Sequence, residues 1–296
     1  MTDLETIFYH IDNFCKDFEK QFEKNLLSNG KNIRKRKLSL TTSEAITISI
    51  CYHLSGYKTF KGFYTKHVLI YMQNDFKNLV SYVRFIELRK KIVIPALLFL
   101  VIRQLSNCSG ISFIDSFKLS VCHIRRVYSH KTLEKIASRG KTSVGWFYGM
   151  KVHLVINHKG EIVSFYITTG STADNNATVL FKLTKDLFGK FFGDKGYIVN
   201  PEIYKKLFTE GKQLITKIRS NMKNKLMHMT DKILLKKRGI VETVGDVLKD
   251  HLNMEHTRHR SIWGFFLNIF TTLSAYQFRD KKPSIEARIE KMLGNA

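Results

Sequence analysis

The chain has 296 residues, 44% of them hydrophobic, and carries 49 Lys and Arg against 25 Asp and Glu, a net charge of +24. That apolar content fills one large core or two modest ones, and 22 Phe with 12 Tyr exclude a chain unfolded over most of its length. A field this positive draws polyanions, nucleic acid first among them, and excludes the near-neutral balance of ordinary soluble enzymes.

In chain order, the opening Met1-Thr2-Asp3-Leu4-Glu5 is acidic and polar, unlike a signal peptide. Lys31 to Lys37 places five cations in seven positions. With so basic a chain, Arg34, Lys35, Arg36 and Lys37 are expected to form a phosphate-contacting arm, the alternative being a solvated loop. Thr41-Thr42-Ser43-Glu44 reads as a capping box opening a helix. Apolar residues then recur at helical spacing, as in Ile46, Ile50, Leu54 and Phe85, Leu88, Ile92. The most apolar stretch, Ile92 to Ile102, is eleven residues long and contains Pro95, so it is expected to be a buried helix and no membrane span. Residues 1–105 are thus expected to be an all-helical N-terminal region that binds DNA. Cys15, Cys51, Cys108 and Cys122 lie far apart without a Cys-x-x-Cys pair, which fits reduced thiols in a cytoplasm and neither a disulfide framework nor a zinc finger.

From about Cys108 the pattern changes. Ile111 to Asp115 reads as a short apolar strand ending in a carboxylate. Met150 to Ile156 and Ile162 to Thr168 read as strands joined at Asn157-His158-Lys159-Gly160, a hairpin signal. A helix is expected over Asn175 to Phe188, and a very short strand, Phe191 to Gly193, ending at Asp194. A helix over Glu202 to Phe208, a strand over Gln213 to Ile218 and helices over Asp231 to Lys249 and Ser261 to Phe278 follow. Residues 106–296 therefore read as one α/β domain, a mixed sheet flanked by helices and closed by C-terminal helices.

Two acids stand at expected strand ends, Asp115 and Asp194, and each has a bland reading as a capping or turn residue. Glu242 lies on a helix with Arg238 four residues before and Lys249 seven after, one stripe carrying a carboxylate between two cations. Taken alone that stripe is a salt-bridged surface. Together the three acids could converge at one sheet edge and hold two magnesium ions about 3.5–4 Å apart. No Gly-x-Ser-x-Gly elbow, P-loop or dinucleotide fingerprint offers other chemistry.

The chain resembles the DDE transposases of bacterial insertion sequences, specifically insertion sequence family 982, over essentially its whole length. The resemblance rests on Phe113-Ile114-Asp115-Ser116, on the segment Gly140 to Leu154 with Trp146 and His153, and on Gly193-Asp194-Lys195-Gly196-Tyr197. It extends through Arg238 to Lys249 and through His256-Thr257-Arg258-His259-Arg260-Ser261. It implies a ribonuclease-H-like mixed sheet flanked by helices, with Asp115, Asp194 and Glu242 as catalytic and metal-binding triad. It further implies Mg2+ as cofactor, with Mn2+ able to substitute, and double-stranded DNA as partner through terminal inverted repeats and target DNA. Strand cleavage and strand transfer by a homodimer synapsed on DNA follow from it, in a bacterial cytoplasm and at the nucleoid when DNA-bound. Related transposases carry Tyr-x2-Arg-x3-Glu-x6-Lys; here Arg238, Glu242 and Lys249 fit, and Leu235 stands at the Tyr position. Arg238 and Lys249 would contact phosphates beside the scissile bond, and His259 and Arg260 phosphates elsewhere. A non-catalytic DNA-binding remnant and a structure-directed nuclease on the same fold are the alternatives. His251, His256 and His259 are expected at phosphate or surface positions instead of a zinc site, and His153 in the core or facing DNA. Trp146 is expected to pack under its hairpin, with stacking on an unpaired base as the alternative.

Overall fold

The computed structural model describes residues 3–28, 39–218 and 226–285. The expected arm at Arg34, Lys35, Arg36 and Lys37 lies outside the described residues. Two compact units divide the chain: residues 1–104 with 250–254 and 259–280, and residues 105–249 with 255–258 and 281–296. No helix among the described residues is long and apolar enough to cross a membrane.

The first unit is helical. It contains α1 (Leu4–Ser28), α2 (Thr42–Leu54), the short α3 (Phe60–Phe63) and α4 (Leu69–Tyr71), α5 (Tyr82–Phe99) and the late helix α10 (Ile262–Gln277). Helix α2 starts where the capping box predicts: the Glu44 amide donates to Thr41 Oγ1 at 3.2 Å and the Thr41 amide to Glu44 Oε2 at 2.7 Å. Helix α5 carries Pro95 and buries Ile92, Val93, Ala96 and Phe99, while Ile94 and Ile102 are exposed. The apolar stretch is therefore a half-buried helix. Helix α10 packs on α2 and α5, so it belongs with the N-terminal helices and not with the sheet to which the sequence pattern assigned it. Part of the physical reason is a buried histidine of α2. Thr271 Oγ1 of α10 meets His53 Nε2 at 2.9 Å, and the other His53 nitrogen meets the Leu252 carbonyl at 2.7 Å. A buried imidazole needs partners for both nitrogens, and Leu252 and Thr271, late in the chain, supply them.

The second unit is built on six strands in the order β2-β3-β1-β5-β6, with β4 also paired to β3. They are β1 (Ile111–Cys122), β2 (Ser138–Thr142), β3 (Gly145–Asn157), β4 (Ile162–Thr169), β5 (Gly189–Gly193) and β6 (Lys212–Thr216). Strands β1 and β3 are antiparallel; β1, β5 and β6 run parallel. The parallel strands are joined by crossovers carrying α6 (Ala177–Leu183) and α7 (Pro201–Thr209), and α8 (Met229–Lys237) and α9 (Gly239–Asp246) follow β6. The β3–β4 turn is the expected one: Asn157 Oδ1 accepts from the Lys159 and Glu161 amides, and Gly160 has φ +74°. One sheet face packs Ile114, Val155 and Phe191 with Val163, Leu180, Leu183 and Tyr197. On the other face the Phe113 and Phe192 rings meet at 5.7 Å, and α9 lies against β1 and β3.

Three expectations change. Strand β1 runs on through Cys122, so Asp115 sits mid-strand instead of at a strand end. Helix α6 starts on the Asn176 cap as expected but is only seven residues long, because the backbone leaves the helical region at Thr184 (φ −105°, ψ 14°). Strand β2 is polar and basic and carries no apolar alternation to announce it; its pairing with Gly145–Gly149 creates it.

Helix α8 is tied to the sheet by charge. Lys190 Nζ donates to both Asp231 carboxylate oxygens, at 2.8 and 3.0 Å, with the Asp231 side chain 6% exposed. Lys190→Ala would leave that buried carboxylate unpaired. We expect a loss of about 2 kcal/mol in urea unfolding, with Lys190→Arg retaining most of the stability.

Candidate active site

The β1–β5 register pairs Ile111 with Lys190, Ser112 with Phe191 and Phe113 with Phe192. Carried two residues further, the same offset brings Asp115 beside Asp194, just past the end of β5. Asp115 shares the face of Phe113, two residues before it on β1, which α9 covers, and Asp194 follows directly on the end of β5, close enough to repel the Asp115 carboxylate. Gly245 lets α9 approach closely, since a Cβ there would stand 3.3 Å from the Phe117 ring. Glu242, one turn earlier, and Arg238, the residue before α9, are thereby brought to Asp115.

Arg238 joins two of the three acids: its guanidinium donates to Asp115 Oδ2 at 3.4 Å and to Glu242 Oε1 at 2.5 Å. Asp115 also accepts from the Ser116 amide at 2.9 Å. Burial pushes the Asp115 carboxyl up to about 7, and the nearby Asp194 and Glu242 carboxylates push the same way; the Ser116 amide and Arg238 oppose them. Asp194 caps the turn Lys195–Tyr197 by accepting from the Gly196 amide at 2.7 Å. Glu242 is the outermost of the three, its side chain 54% exposed.

Asp115 and Glu242 thus lie against one guanidinium, while Asp194 is turned to the Gly196 amide. Among the described residues, no three His, Cys, Asp or Glu side chains form a group able to hold a metal ion. Donor type and charge nonetheless fit a hard divalent cation. Carboxylate oxygens are the ligands magnesium prefers, and Asp115 is a carboxylate largely withdrawn from water, which a bound cation would stabilise.

Lys249 does not close on Glu242. The chain widens into a π-turn at Val247–His251, and Lys249 pairs with Asp246 at 3.3 Å and lies 5.7 Å from the Phe117 ring centre. Leu235, at the position where a Tyr was expected, is buried. In the helical unit, Arg260 is exposed, whereas His259 is 9% exposed with its ring 5.0 Å from that of Phe265. His259 is therefore less exposed than the expected surface position, with its imidazole edge-on to the Phe265 ring. His153 is a core residue, bonded to Thr168 Oγ1 at 3.0 Å, and burial lowers its pKa to about 4, so it is neutral. Trp146 is 62% exposed instead of packed under its hairpin, because Phe147 takes the inward position beside Gly140.

A fourth acid, Asp174, adjoins these groups. Asp174 accepts from Ser116 Oγ at 2.6 Å and from Lys151 Nζ at 3.1 Å, while Lys151 also donates to the Thr172 carbonyl at 2.9 Å. A Cβ on Gly196 would stand 2.9 Å from Asp194 Oδ1 and 3.4 Å from Asp174 Oδ2, so the glycine admits both carboxylates to the same turn. Ser116 turns to the opposite sheet face from Asp115, and Asp174 therefore braces both strands from below the site. Asp174 lies in the loop beyond β4, which ends at Thr169, so no strand end announces it in the sequence.

Acidic side chains from two adjacent parallel strands and a covering helix, with an arginine among them, are an arrangement suited to chemistry on phosphates. Residues 105–262, just over half of the chain, match the family model described as Transposase DDE domain, and the chain belongs to that family. Among curated proteins nothing matches.

Proposed function

We propose that the protein is a DNA transposase that binds the terminal inverted repeats of its element and carries out strand cleavage and strand transfer, with Asp115, Asp194 and Glu242 as its catalytic acids. The observation that carries this reading is the parallel pairing of β1, which holds Asp115, with β5, which Asp194 follows, while α9 with Glu242 packs on β1. The strand order, three parallel strands with an antiparallel pair on one side, supports a ribonuclease-H-like catalytic core. The resemblance to insertion sequence family 982 supports a mobile element as the gene's setting.

Asp115 and Asp194 would hold magnesium or manganese, and Glu242 would join them on leaving Arg238. When bound, the metal supplies Lewis acidity for phosphoryl transfer at the scissile phosphate. The chain's own groups do the rest. Arg238, released from Glu242, would meet a phosphate oxygen with its planar fork. Lys249, held over Phe117, would reach the flanking phosphate. Arg34, Lys35, Arg36, Lys37 and Arg260 would neutralise DNA further from the chemistry, and the net charge of +24 brings the duplex in. Synapsis of two element ends calls for a homodimer on DNA, in a bacterial cytoplasm and at the nucleoid.

A strand-transfer assay tests the proposal. Purified protein, a duplex ending in the element's inverted repeat, a supercoiled target plasmid and Mg2+ should give end-nicked and joined products. Nicking without joining would indicate a structure-directed nuclease. Binding without nicking, in either Mg2+ or Mn2+, would indicate a DNA-binding remnant.

A further inference from the structure

Between His123 and Trp146 the chain carries Arg125, Arg126, Lys131, Lys135, Arg139 and Lys141 against a single acid, Glu134, which stands 3.7 Å from Lys131. This segment forms a 3-10 turn (Ile124–Ser129), a loop and the β2–β3 hairpin. Two of its aromatic rings are turned to solvent, Tyr128 at 82% and Trp146 at 62% exposure. Each has a cation over it: Arg139 Cζ is 5.2 Å from the Tyr128 ring centre and Lys141 Nζ 5.7 Å from that of Trp146. Arg139 and Lys141 are two apart on β2 and so share one face, about 7 Å from each other along the strand. Gly140 between them faces inward, where a Cβ would collide with the Gly170 carbonyl oxygen and the Phe147 ring. Two exposed rings therefore lie in a row on one side of the hairpin, each beside a cation, and the opposite side is packed.

We propose that this face of the hairpin is a stacking surface for an unpaired nucleic-acid strand. Large exposed rings are a cost in water unless something covers them, and the surplus of cations selects a polyanion as the cover. A paired duplex offers phosphates but keeps its base faces stacked on one another. An unpaired strand offers both phosphates and open base faces, matching alternating cations and rings. The inference deepens the transposase reading by naming the strand state held beside the catalytic unit, and it rests on that reading for its role in the reaction. Its binding can be tested without any cleavage.

The full chain with Trp263→Phe keeps Trp146 as its one tryptophan and can be titrated with oligothymidylate and with blunt duplex in EDTA. Oligothymidylate should quench Trp146 emission, and duplex at equal phosphate concentration should not. Combined Tyr128→Ala and Trp146→Ala should weaken oligothymidylate binding roughly tenfold or more while leaving duplex binding within about twofold and the thermal melt unchanged. Arg139→Gln with Lys141→Gln should lower affinity for both and flatten the salt dependence. Absence of quenching, undiminished oligothymidylate binding by the double aromatic variant, or equal loss on both nucleic acids would overturn the proposal. Because Asp115, Asp194 and Glu242 are untouched, that failure beside intact strand transfer would leave the catalytic reading standing.

Discussion

Asp115→Asn and Asp194→Asn, singly or together, are expected to reduce metal-dependent strand cleavage by about 10³-fold or more, an effect of about 4 kcal/mol on the barrier. Binding to the inverted repeat should stay within about twofold of the parent protein, because the positive field and the helical unit are unchanged. Asparagine keeps the shape of aspartate and can still accept from the Ser116 amide, so the fold has no reason to fail. The variants should in fact melt no lower. Asp115 and Glu242 share one Arg238 guanidinium, Asp194 adds its repulsion to Asp115, and burial already weighs against the charge on Asp115. Removing one negative charge relieves that repulsion, and each kcal/mol relieved should raise the Tm by about 2–4 °C in a chain of this size. Gel assays and thermal melts on the same preparations decide the matter. Full cleavage by the double variant would remove these acids from the mechanism, and joint loss of activity and fold would make them structural.

The second large effect concerns the strand pair that carries Asp115. Gly149 on β3 lies opposite Ser120 at the irregularity in the β1–β3 ladder. A Cβ at Gly149 would stand 2.0 Å from the Leu119 carbonyl oxygen and 3.0 Å from its carbon. Backbone in the middle of a ladder cannot retreat as a side chain could. Gly149→Ala is expected to cost about 3 kcal/mol or more, lowering the Tm by roughly 10 °C. Gly211→Ala is the control: φ there is +75° but a Cβ would meet nothing within 4 Å, so only about 1 kcal/mol of conformational strain is expected. Similar melts for the two variants would refute the close approach of β1 and β3 at this point.

Local chemistry made much of this fold readable in the sequence. The Thr41 capping box and the Asn157–Gly160 turn are closed within a few residues, and each is found where the sequence places it. What depends on distant partners was harder to read. Ser116, Lys118 and Ser120 interrupt the apolar run after Ile114, so β1 seems by pattern to stop at Asp115; its continuation exists because β3 pairs with it as far as Tyr148. Strand β2 has no pattern of its own and is made by its partner. Helix α10 reads as a helix, but nothing in its own residues says which unit it completes. The site was partly legible for the same reason. Arg238 and Glu242 are one helical turn apart and their pairing follows from spacing. Lys249, at the same nominal periodicity, is diverted by a π-turn that spacing does not announce. Asp174 went unread because its partners, Ser116 and Lys151, lie on two other strands.

The proposed chemistry requires that Asp115 and Asp194 jointly ligate a divalent ion. Crystals soaked in Mn2+ and measured for anomalous scattering would answer this directly. We expect a manganese peak bound by both carboxylates, with Glu242 turned away from Arg238. A map without a peak at those two residues, from protein that cleaves DNA in Mn2+, would contradict it.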